Sequence, residues 1–209
     1  DWVLLYGDTN STLAGALVAA KIRIPVAHLE AGLRSGNRDM PEEINRVLAD
    51  HASDLCLAPS ALAMENLRRE GLGEISVDVG DVTVDGLFRM RDRVEKSPPQ
   101  LSWLDREGDY FLATLHRQEL MTDLPRLQRV VERLSGMGRR VILPAHPRFL
   151  RALEEIGGNA PSPSLQVVKP LSYPELVYAA SRSIGVVTDS GGLQKESYLL
   201  GVPCATIRR

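Results

Sequence analysis

Residues 2–9 have the sequence WVLLYGDT, and residues 24–32 have the sequence IPVAHLEAG. In each stretch an apolar run typical of a buried strand is followed by an acidic residue, Asp8 in the first and Glu30 in the second. The carboxyl ends of parallel strands meet at one edge of an open α/β sheet, where ligands bind. We therefore expect Asp8 and Glu30 to lie side by side at that edge, with Glu42 arriving on the loop and helix after the second run. Clustered carboxylates in a cleft suit proton transfer to and from carbon.

The composition is that of an ordinary globular protein and argues against several classes of partner. The chain has 209 residues, a hydrophobic content of 44% and a formal net charge of −2. Without a basic block it lacks the electrostatic signature of proteins that bind nucleic acid or an anionic membrane. No apolar run approaches the roughly 20 residues that span a bilayer, and no signal peptide is recognisable. We expect a cytoplasmic protein without a metal site, in which Cys56 and Cys204 are buried thiols rather than a disulfide.

Strand-like and helix-like segments alternate along the whole chain, which predicts parallel sheets built from β-α-β units. The sequence SPPQ at residues 97–100 is a cluster of structure-breaking residues typical of a linker. The predicted fold class is α/β, with two Rossmann-like αβα domains and a cleft between them. We place the carboxylates in a first domain, 1–82, followed by a second domain, 83–209, with the linker near residues 80–100. The chain begins on Asp1, directly at a strand, so we expect the first domain to be incomplete.

A glycine-rich turn in the second half of the chain is a candidate anion site. Residues 184–196 contain an apolar strand, the turn Ser190-Gly191-Gly192 and then a helical segment. The first N–H groups of a helix have no partner within it, and together with the helix dipole they favour an anion. Glycines let a ligand approach the backbone, and the Ser190 hydroxyl adds a donor. The alternative is that Asp189 or Ser190 only caps the helix.

His116 and Arg117 follow another apolar strand and therefore belong at the same kind of sheet edge. An arginine in that place can bind a diphosphate through paired hydrogen bonds. The alternative is an ordinary surface turn. His146 repeats the arrangement after the next strand, and a structural role is equally open for it. His28 is expected to pack against the Glu30 turn and orient it rather than to react.

Together these stretches resemble the non-hydrolysing UDP-N-acetylglucosamine 2-epimerase family. The motifs are, in order, GDTNS at residues 7–11, HLEAGLRSG at 28–36, PEEINR at 41–46, His116-Arg117 with Glu119, HPR at 146–148, DSGGLQKE at 189–196 and LGVPC at 200–204. They extend over essentially the whole chain. The resemblance implies a GT-B fold, in which two Rossmann-like domains hold a UDP-sugar in the cleft between them.

The resemblance also implies a reaction, the reversible inversion at C2 that converts UDP-N-acetylglucosamine into UDP-N-acetylmannosamine. In the family UDP is eliminated across C1–C2 and then added back with a proton on the opposite face of the sugar. Asp8, Glu30 and Glu42 are by resemblance the acid and base groups. Which carboxylate is the acid and which the base stays open, and Glu43 is the alternative to Glu42.

The same resemblance assigns His116 to holding the diphosphate or assisting its departure. Phosphate binding falls to Ser190 and Gly191, and Glu196 accepts hydrogen bonds from the ribose hydroxyls. Two neighbours complete the predicted substrate-binding set, Arg117 and Gly192. No metal or redox cofactor is implied, and we expect a homodimer in the full-length protein.

The chain also departs from the family pattern. Family members have a GTRPE-like motif near the N-terminus and continue beyond the position of Arg208 and Arg209, so we expect this chain to be an excerpt. Leu120 stands where an asparagine is usual. Related enzymes hydrolyse the sugar nucleotide, transfer its sugar to an acceptor or epimerise a diacetamido sugar. A further alternative is a fragment that binds a UDP-sugar without turnover.

Overall fold

The computed structural model describes residues 1–104, 109–157 and 163–207. Contacts between Cα atoms divide the chain into two compact units, Asp1–Asp85 and Gly86–Arg209, whereas the sequence pattern predicts a boundary between residues 82 and 83. The segment predicted as a linker is partly regular, because one helix runs through Val82–Lys96.

The first unit contains a four-stranded sheet in which all neighbouring strands are parallel. In sheet order its strands are β1 (Val3–Tyr6), β2 (Val26–Leu29), β3 (Leu55–Ala58) and β4 (Ser76–Asp78). Its helices are α1 (Asn10–Lys21), α2 (Pro41–His51) and α3 (Ala61–Arg69), and a 3₁₀ turn covers Gly73–Ile75. Local sequence sets two of the helix starts, because the side chains of Thr9 and Ser60 accept hydrogen bonds from first-turn N–H groups, as N-cap residues do.

The register of this sheet brings the turn with Asp8 and the turn with Glu30, here called the two acidic turns, to the same level. Tyr6 lies opposite Leu29 in the parallel pair β1–β2, so Gly7 and Glu30 are the next residues of their strands. The N–H of Gly7 donates to the carbonyl of Leu29 at 3.3 Å, which extends the pairing by one residue. Small side chains let α1 and α2 pack closely, in a buried cluster formed by Leu5, Ala16, Ala19, Val26 and Ala49.

The second unit contains a five-stranded sheet, again with all neighbouring strands parallel. In sheet order its strands are β7 (Leu165–Val168), β6 (Arg140–Pro144), β5 (Tyr110–Thr114), β8 (Gly185–Thr188) and β9 (Cys204–Thr206). Helix α4 (Val82–Lys96) begins in the last residues of the first unit and continues into the second. The other helices of the second unit are α5 (Gln118–Thr122), α6 (Leu124–Ser135), α7 (Pro147–Glu155), α8 (Tyr173–Arg182) and α9 (Gly191–Leu199). Helix α4 buries Leu87 and Val94 in a cluster with Val177 of α8.

Alternate residues of the central strands fill cores on the two faces of this sheet. Leu112 and Ile142 belong to one buried cluster, and Ala113 and Leu143 to another, as the two-residue period of a strand requires. From β5 the chain runs through β6 to β7 and then returns to β8 and β9 on the other side of β5. This reversal creates a topological switch point between β5 and β8, the place where open α/β sheets bind ligands.

Both sheets confirm the α/β class with parallel strands that the sequence predicts. The expectation of two buried thiols holds for Cys56 alone, because Cys204 is only partly buried at the start of β9, the last strand of its sheet. Both cysteines are free, and burial raises the pKa of the Cys56 thiol to about 12. Among the described residues no helix has the length and apolar character needed to cross a membrane.

Candidate active site

The turns after β1 and β2 lie at the same edge of the first sheet. Glu30 has a φ of 68°, in the left-handed region that residues with a side chain rarely adopt. A Cβ placed on Gly7 would lie 3.7 Å from Oε2 of Glu30, and the Tyr6 hydroxyl lies 3.5 Å from its Oε1. Partial burial and the nearby Glu30 raise the pKa of Tyr6. The Glu30 carboxylate therefore lies over the turn that carries Asp8.

Helix α2 reaches the Asp8 turn through two side chains. Arg46 Nη2 lies 2.5 Å from Asp8 Oδ2, and the Asn45 side-chain amide donates to the Asp8 carbonyl at 3.0 Å. Arg46 also pairs with Glu43 at 2.9 Å. Reasoning from the carboxylates alone assigned no role to Arg46 or Asn45. Their spacing from Glu42 could have indicated a role, because residues three and four apart lie on one face of a helix.

Glu42 and Glu43 have different surroundings. Glu43 is 5% exposed, and its carboxylate accepts hydrogen bonds at 2.9 Å from the N–H and hydroxyl of Ser35 and the N–H of Gly36. Burial alone would raise the pKa of Glu43, but these bonds and that from Arg46 lower it to about 2. Glu42 is exposed and lies one turn before Arg46. Glu43 thus holds the loop at Ser35 and Gly36 against the start of α2. Glu42 is the member of the pair whose carboxylate can reach a ligand.

The turn between β8 and α9 contains the predicted phosphate site. The Ser190 hydroxyl caps α9 by accepting a first-turn N–H at 3.3 Å, and its own N–H donates to the Thr188 hydroxyl at 2.9 Å. Gly191 and Gly192 form the first turn of α9, whose N–H groups have no partner within the helix. Neither glycine has a positive φ. Their contribution is therefore the absence of a side chain in front of these N–H groups, rather than an unusual backbone conformation.

Asp189 joins this turn to the one after β5. It is 1% exposed, and its Oδ2 accepts from the backbone N–H groups of His116 at 2.9 Å and Arg117 at 2.8 Å. Its Oδ1 lies 3.1 Å from Nδ1 of His116, although without the geometry of a hydrogen bond. The Nε of Arg117 donates to the Asp189 carbonyl at 2.7 Å. Sequence reasoning considered Asp189 only as a possible helix cap and missed this role, which its place at the end of a central strand could have indicated.

One further turn along α9, Glu196 meets a tyrosine. The Tyr173 hydroxyl donates to Glu196 Oε1 at 3.0 Å. Burial raises the pKa of Glu196, while the bond from Tyr173 and the charge of Lys195 act in the opposite direction. Burial and the neighbouring Glu196 raise the pKa of Tyr173 to about 12. The Glu196 carboxylate is thus already oriented by a side chain from α8, a contact that the sequence did not indicate.

His146, the second histidine candidate in the second unit, has a structural role. His146 precedes α7, and its Nδ1 accepts the N–H of Arg148 at 3.3 Å. His116, by contrast, has a side chain that is 54% exposed. Within the second unit the structure therefore brings His116, Arg117 and the Ser190 turn together at the switch point, and it gives His146 the role of a helix cap.

Comparisons with known proteins identify the family of this chain. The whole chain, residues 1–209, matches the profile of the family described as UDP-N-acetylglucosamine 2-epimerase. A UDP-2,3-diacetamido-2,3-dideoxy-D-glucuronate 2-epimerase of Pseudomonas aeruginosa is 45% identical, over 99% of this chain and 58% of its own length. A UDP-N-acetylglucosamine 2-epimerase of Methanocaldococcus jannaschii is 40% identical, over 100% of this chain and 60% of its own length.

The same fold is present in a solved structure. The crystal structure of Methanocaldococcus jannaschii UDP-GlcNAc 2-epimerase in complex with UDP-GlcNAc and UDP matches with a TM-score of 0.84 at 39% identity, over 100% of this chain and 60% of that chain. This likeness confirms the expected α/β fold of the GT-B type. This chain spans 58% to 60% of the length of the relatives named here. Since the family profile covers residues 1–209, the chain belongs to the UDP-N-acetylglucosamine 2-epimerase family.

Proposed function

We propose that the complete protein interconverts UDP-N-acetylglucosamine and UDP-N-acetylmannosamine by eliminating UDP across C1–C2 and adding it back. The observation that carries the proposal is the pairing, in one chain, of a carboxylate edge with an anion-binding edge. Asp8 and Glu30 end neighbouring strands of the first sheet, and Glu42 stands on the helix that bonds to the Asp8 turn. The turn 190–192 offers N–H groups at the switch point of the second sheet.

The chemistry accounts for several carboxylates. The hydrogen at C2 of the sugar is not adjacent to a carbonyl, so its direct removal would be very slow. In the proposed reaction one carboxylate takes the C2 proton while the C1–O bond to UDP breaks, which leaves a C1=C2 double bond. UDP then adds back at C1, and a protonated carboxyl group delivers a proton to the other face of C2. Positioned acids and bases each contribute about 10²–10⁴ in rate, and Asp8, Glu30 and Glu42 are the groups available.

The second edge stabilises the leaving group. As the C1–O bond breaks, negative charge develops on the diphosphate, where preorganised donors lower the barrier most. The start of α9 supplies N–H groups and the positive end of a helix dipole, and the exposed His116 and its neighbour Arg117 are held beside it by Asp189. The residues proposed to contact the nucleotide are His116, Arg117, Ser190, Gly191, Gly192 and Glu196.

A second candidate concerns the sugar. The relative from Pseudomonas aeruginosa, at 45% identity, is a UDP-2,3-diacetamido-2,3-dideoxy-D-glucuronate 2-epimerase. The proposed elimination applies to that sugar equally, because the reaction takes place at C1 and C2 and leaves C3 and C6 untouched. We therefore keep this diacetamido uronate as the alternative substrate.

Incubation with each UDP-sugar in D₂O tests the proposal. We expect the C2 epimer, still linked to UDP, with deuterium at C2. Free N-acetylmannosamine together with UDP would indicate a hydrolysing epimerase, and sugar transfer that depends on an acceptor would indicate a glycosyltransferase. Binding of UDP measured by calorimetry without any turnover would leave a binding module. The homodimer and the cytoplasmic location stay predictions, which sedimentation and cell fractionation would test.

A further inference from the structure

A buried histidine lies directly behind the two acidic turns. His28 is 0% exposed; its Nδ1 lies 2.6 Å from Asp50 Oδ1, and its Nε2 lies 2.8 Å from the carbonyl oxygen of Gly7. The other carboxylate oxygen of Asp50 accepts the N–H of Gly32 at 3.0 Å and lies 2.8 Å from Nη2 of Arg34. Both ring nitrogens of His28 and both carboxylate oxygens of Asp50 therefore have a partner inside the first unit.

These partners determine the protonation of His28. A carbonyl oxygen can only accept, so Nε2 carries a proton in its bond to Gly7. Nδ1 faces Asp50, whose other oxygen already accepts from Gly32 and from the cationic Arg34. Asp50 then accepts from Nδ1 as well, so Nδ1 also carries a proton. With a proton on each nitrogen His28 would be an imidazolium, and a buried imidazolium is tolerated where both of its N–H groups and its counter-ion are bonded.

The network connects both acidic turns. Through Nε2, His28 holds the carbonyl of the residue that precedes Asp8. Through Asp50 it is linked to the N–H of Gly32, just beyond Glu30. Glu30 lies in the chain between His28 and Gly32, the two residues that this network bonds, and has a φ of 68°. The left-handed conformation is unfavourable for a residue with a side chain, and it persists where the surroundings impose it.

We propose that His28 is a positioning residue for the epimerisation: as an imidazolium bonded to Asp50, it holds the Asp8 turn against the Glu30 turn, so that the two carboxylates keep the spacing that proton transfer at C2 requires. We call the three bonded groups, His28 with Asp50 and the carbonyl before Asp8, the His28 clamp. The inference rests on the proposed function and adds to it a residue that never touches substrate. A neutral imidazole can keep only one of its two bonds as a donor, so loss of the proton opens the clamp and turnover falls as the pH rises.

The charged groups around His28 set the sign of this dependence. Asp50 of α2 is its direct partner, Arg34 faces the same carboxylate and pairs with Glu70 at 2.7 Å, and the Cys56 thiol of β3 lies 3.6 Å from the Asp50 carbonyl. Burial lowers the pKa of His28, but the bond and charge of Asp50 and the bond to the backbone carbonyl outweigh burial and Arg34 and raise the pKa above its usual value. The clamp is therefore complete below about pH 6.5, the ordinary histidine pKa, and is lost as the pH rises through the raised value.

Wild-type protein provides the first test. In the complete protein labelled with ¹⁵N-histidine, NMR follows the protonation of both ring nitrogens, and single substitutions of the other histidines assign the His28 signal by elimination. We expect both nitrogens of His28 to carry protons at neutral pH. We also expect kcat to fall over the pH range in which they titrate, with little change in KM for the UDP-sugar. A neutral His28 at pH 7, or a kcat that stays constant through its titration, would overturn the proposal.

A matched pair of variants provides the second test. In His28→Gln the side chain cannot titrate and can replace only one bond, so we expect kcat to fall on the order of tenfold to a hundredfold, the effect of a small misplacement of reacting groups. Its alkaline loss of activity should disappear, and its affinity for UDP should stay near that of wild type. His51→Gln is the control, because His51 lies exposed near the end of the same helix as Asp50, and it should leave kcat and its pH profile unchanged.

The outcomes separate this inference from the proposed function. Wild-type protein that epimerises neither UDP-sugar would refute the proposed function. Active wild-type protein in which folded His28→Gln retains the wild-type kcat and pH profile would refute only the positioning role. If His28→Gln does not fold, the comparison of the NMR titration with the pH dependence of wild-type kcat decides the question.

Discussion

The edge of the first sheet and the edge of the second sheet carry opposite chemistry. At the first, Asp8 and Glu30 follow neighbouring strands, and side chains of α2 bond to the turn between β1 and α1. At the second, the start of α9 presents N–H groups and the Ser190 hydroxyl, and the His116 side chain is 54% exposed. The carboxylate of this second edge, Asp189, is buried and accepts backbone N–H groups.

The difference shows how one architectural position serves two purposes. Parallel strands bring their carboxyl ends to one edge whatever residues follow them, so the sheet determines the place, and the residues after each strand determine the charge. Side chains of α2 hold the first edge in place. At the second edge, the buried Asp189 carboxylate accepts the backbone N–H groups of His116 and Arg117 and so fixes their turn. We therefore expect changes at the first edge to affect chemistry and changes at the second edge to affect nucleotide binding.

Removal of a charge at the first edge should have the largest effect. We expect Asp8→Asn, Glu30→Gln and Glu42→Gln each to lower kcat by ~10²-fold or more, since positioned acid and base groups contribute 10²–10⁴. Affinity for UDP, measured by calorimetry, should stay near that of wild type. Incorporation of deuterium at C2 from D₂O would then distinguish loss of the base from loss of the acid. A variant that loses UDP binding together with kcat would contradict the separation of the two edges.

A side chain at the second edge should act on binding. We expect Gly191→Val to abolish measurable UDP binding, because its side chain would stand in front of the N–H groups that open α9. Gly86→Ala in α4 is the control, since a Cβ there meets nothing within 4 Å and UDP affinity should not change. Calorimetry on both folded proteins makes the comparison. Unchanged UDP affinity in folded Gly191→Val would contradict the assignment of the phosphate site to the turn 190–192.

Loss of the exposed histidine should be smaller. We expect His116→Ala to lower kcat/KM by about tenfold, the usual worth of one hydrogen bond to a charged group. The melting temperature should change little, because the side chain is 54% exposed. Kinetics and thermal unfolding on the same preparations measure both. If the variant melts several degrees lower and keeps wild-type kcat/KM, His116 is structural and the contact must be sought at Arg148.

Glu43 should affect stability rather than chemistry. Its pKa is lowered from 4.5 to about 2, so its charge stabilises the fold at pH values above 4.5, and this contribution is lost as the pH falls through about 2. We expect Glu43→Gln to lower the melting temperature at pH 7 by roughly 5 °C, through loss of buried hydrogen bonds. The difference from wild type should shrink as the pH falls toward 2. Equal destabilisation by Glu42→Gln would show that the two residues do not differ in this way.

The contact between α8 and α9 should give the smallest change. Tyr173→Phe removes the hydroxyl that lies 3.0 Å from Glu196 Oε1 and retains the ring. We expect UDP affinity to fall only about threefold, because Tyr173 acts on the nucleotide indirectly, through the orientation of the Glu196 carboxylate, while kcat at saturating substrate stays unchanged. Titration calorimetry and steady-state kinetics measure these two quantities. A fall in kcat of tenfold would mean that Tyr173 takes part in more than nucleotide binding.

The sequence by itself predicted the alternation of strands and helices and the place of both edges. The alternation of apolar runs and helical segments is local, and the rule that ligands gather at strand ends needs only the position of a residue relative to its strand. This information was sufficient to place Asp8 and Glu30 after β1 and β2, and His116 and Ser190 after β5 and β8. The family motifs also predicted the GT-B type of fold, which the likeness to the solved structure confirms.

Only the tertiary structure decided which partner each polar side chain takes. Glu42 and Glu43 are neighbours in one motif, yet the loop at Ser35 bonds to Glu43 alone. Asp189 stands beside a helix start, yet its carboxylate bonds to a turn 73 residues earlier in the chain. His28 meets Asp50 from 22 residues away. Such choices depend on which segments the packed sheet brings within about 3 Å of each other, and the local pattern of apolar and polar residues does not contain that information.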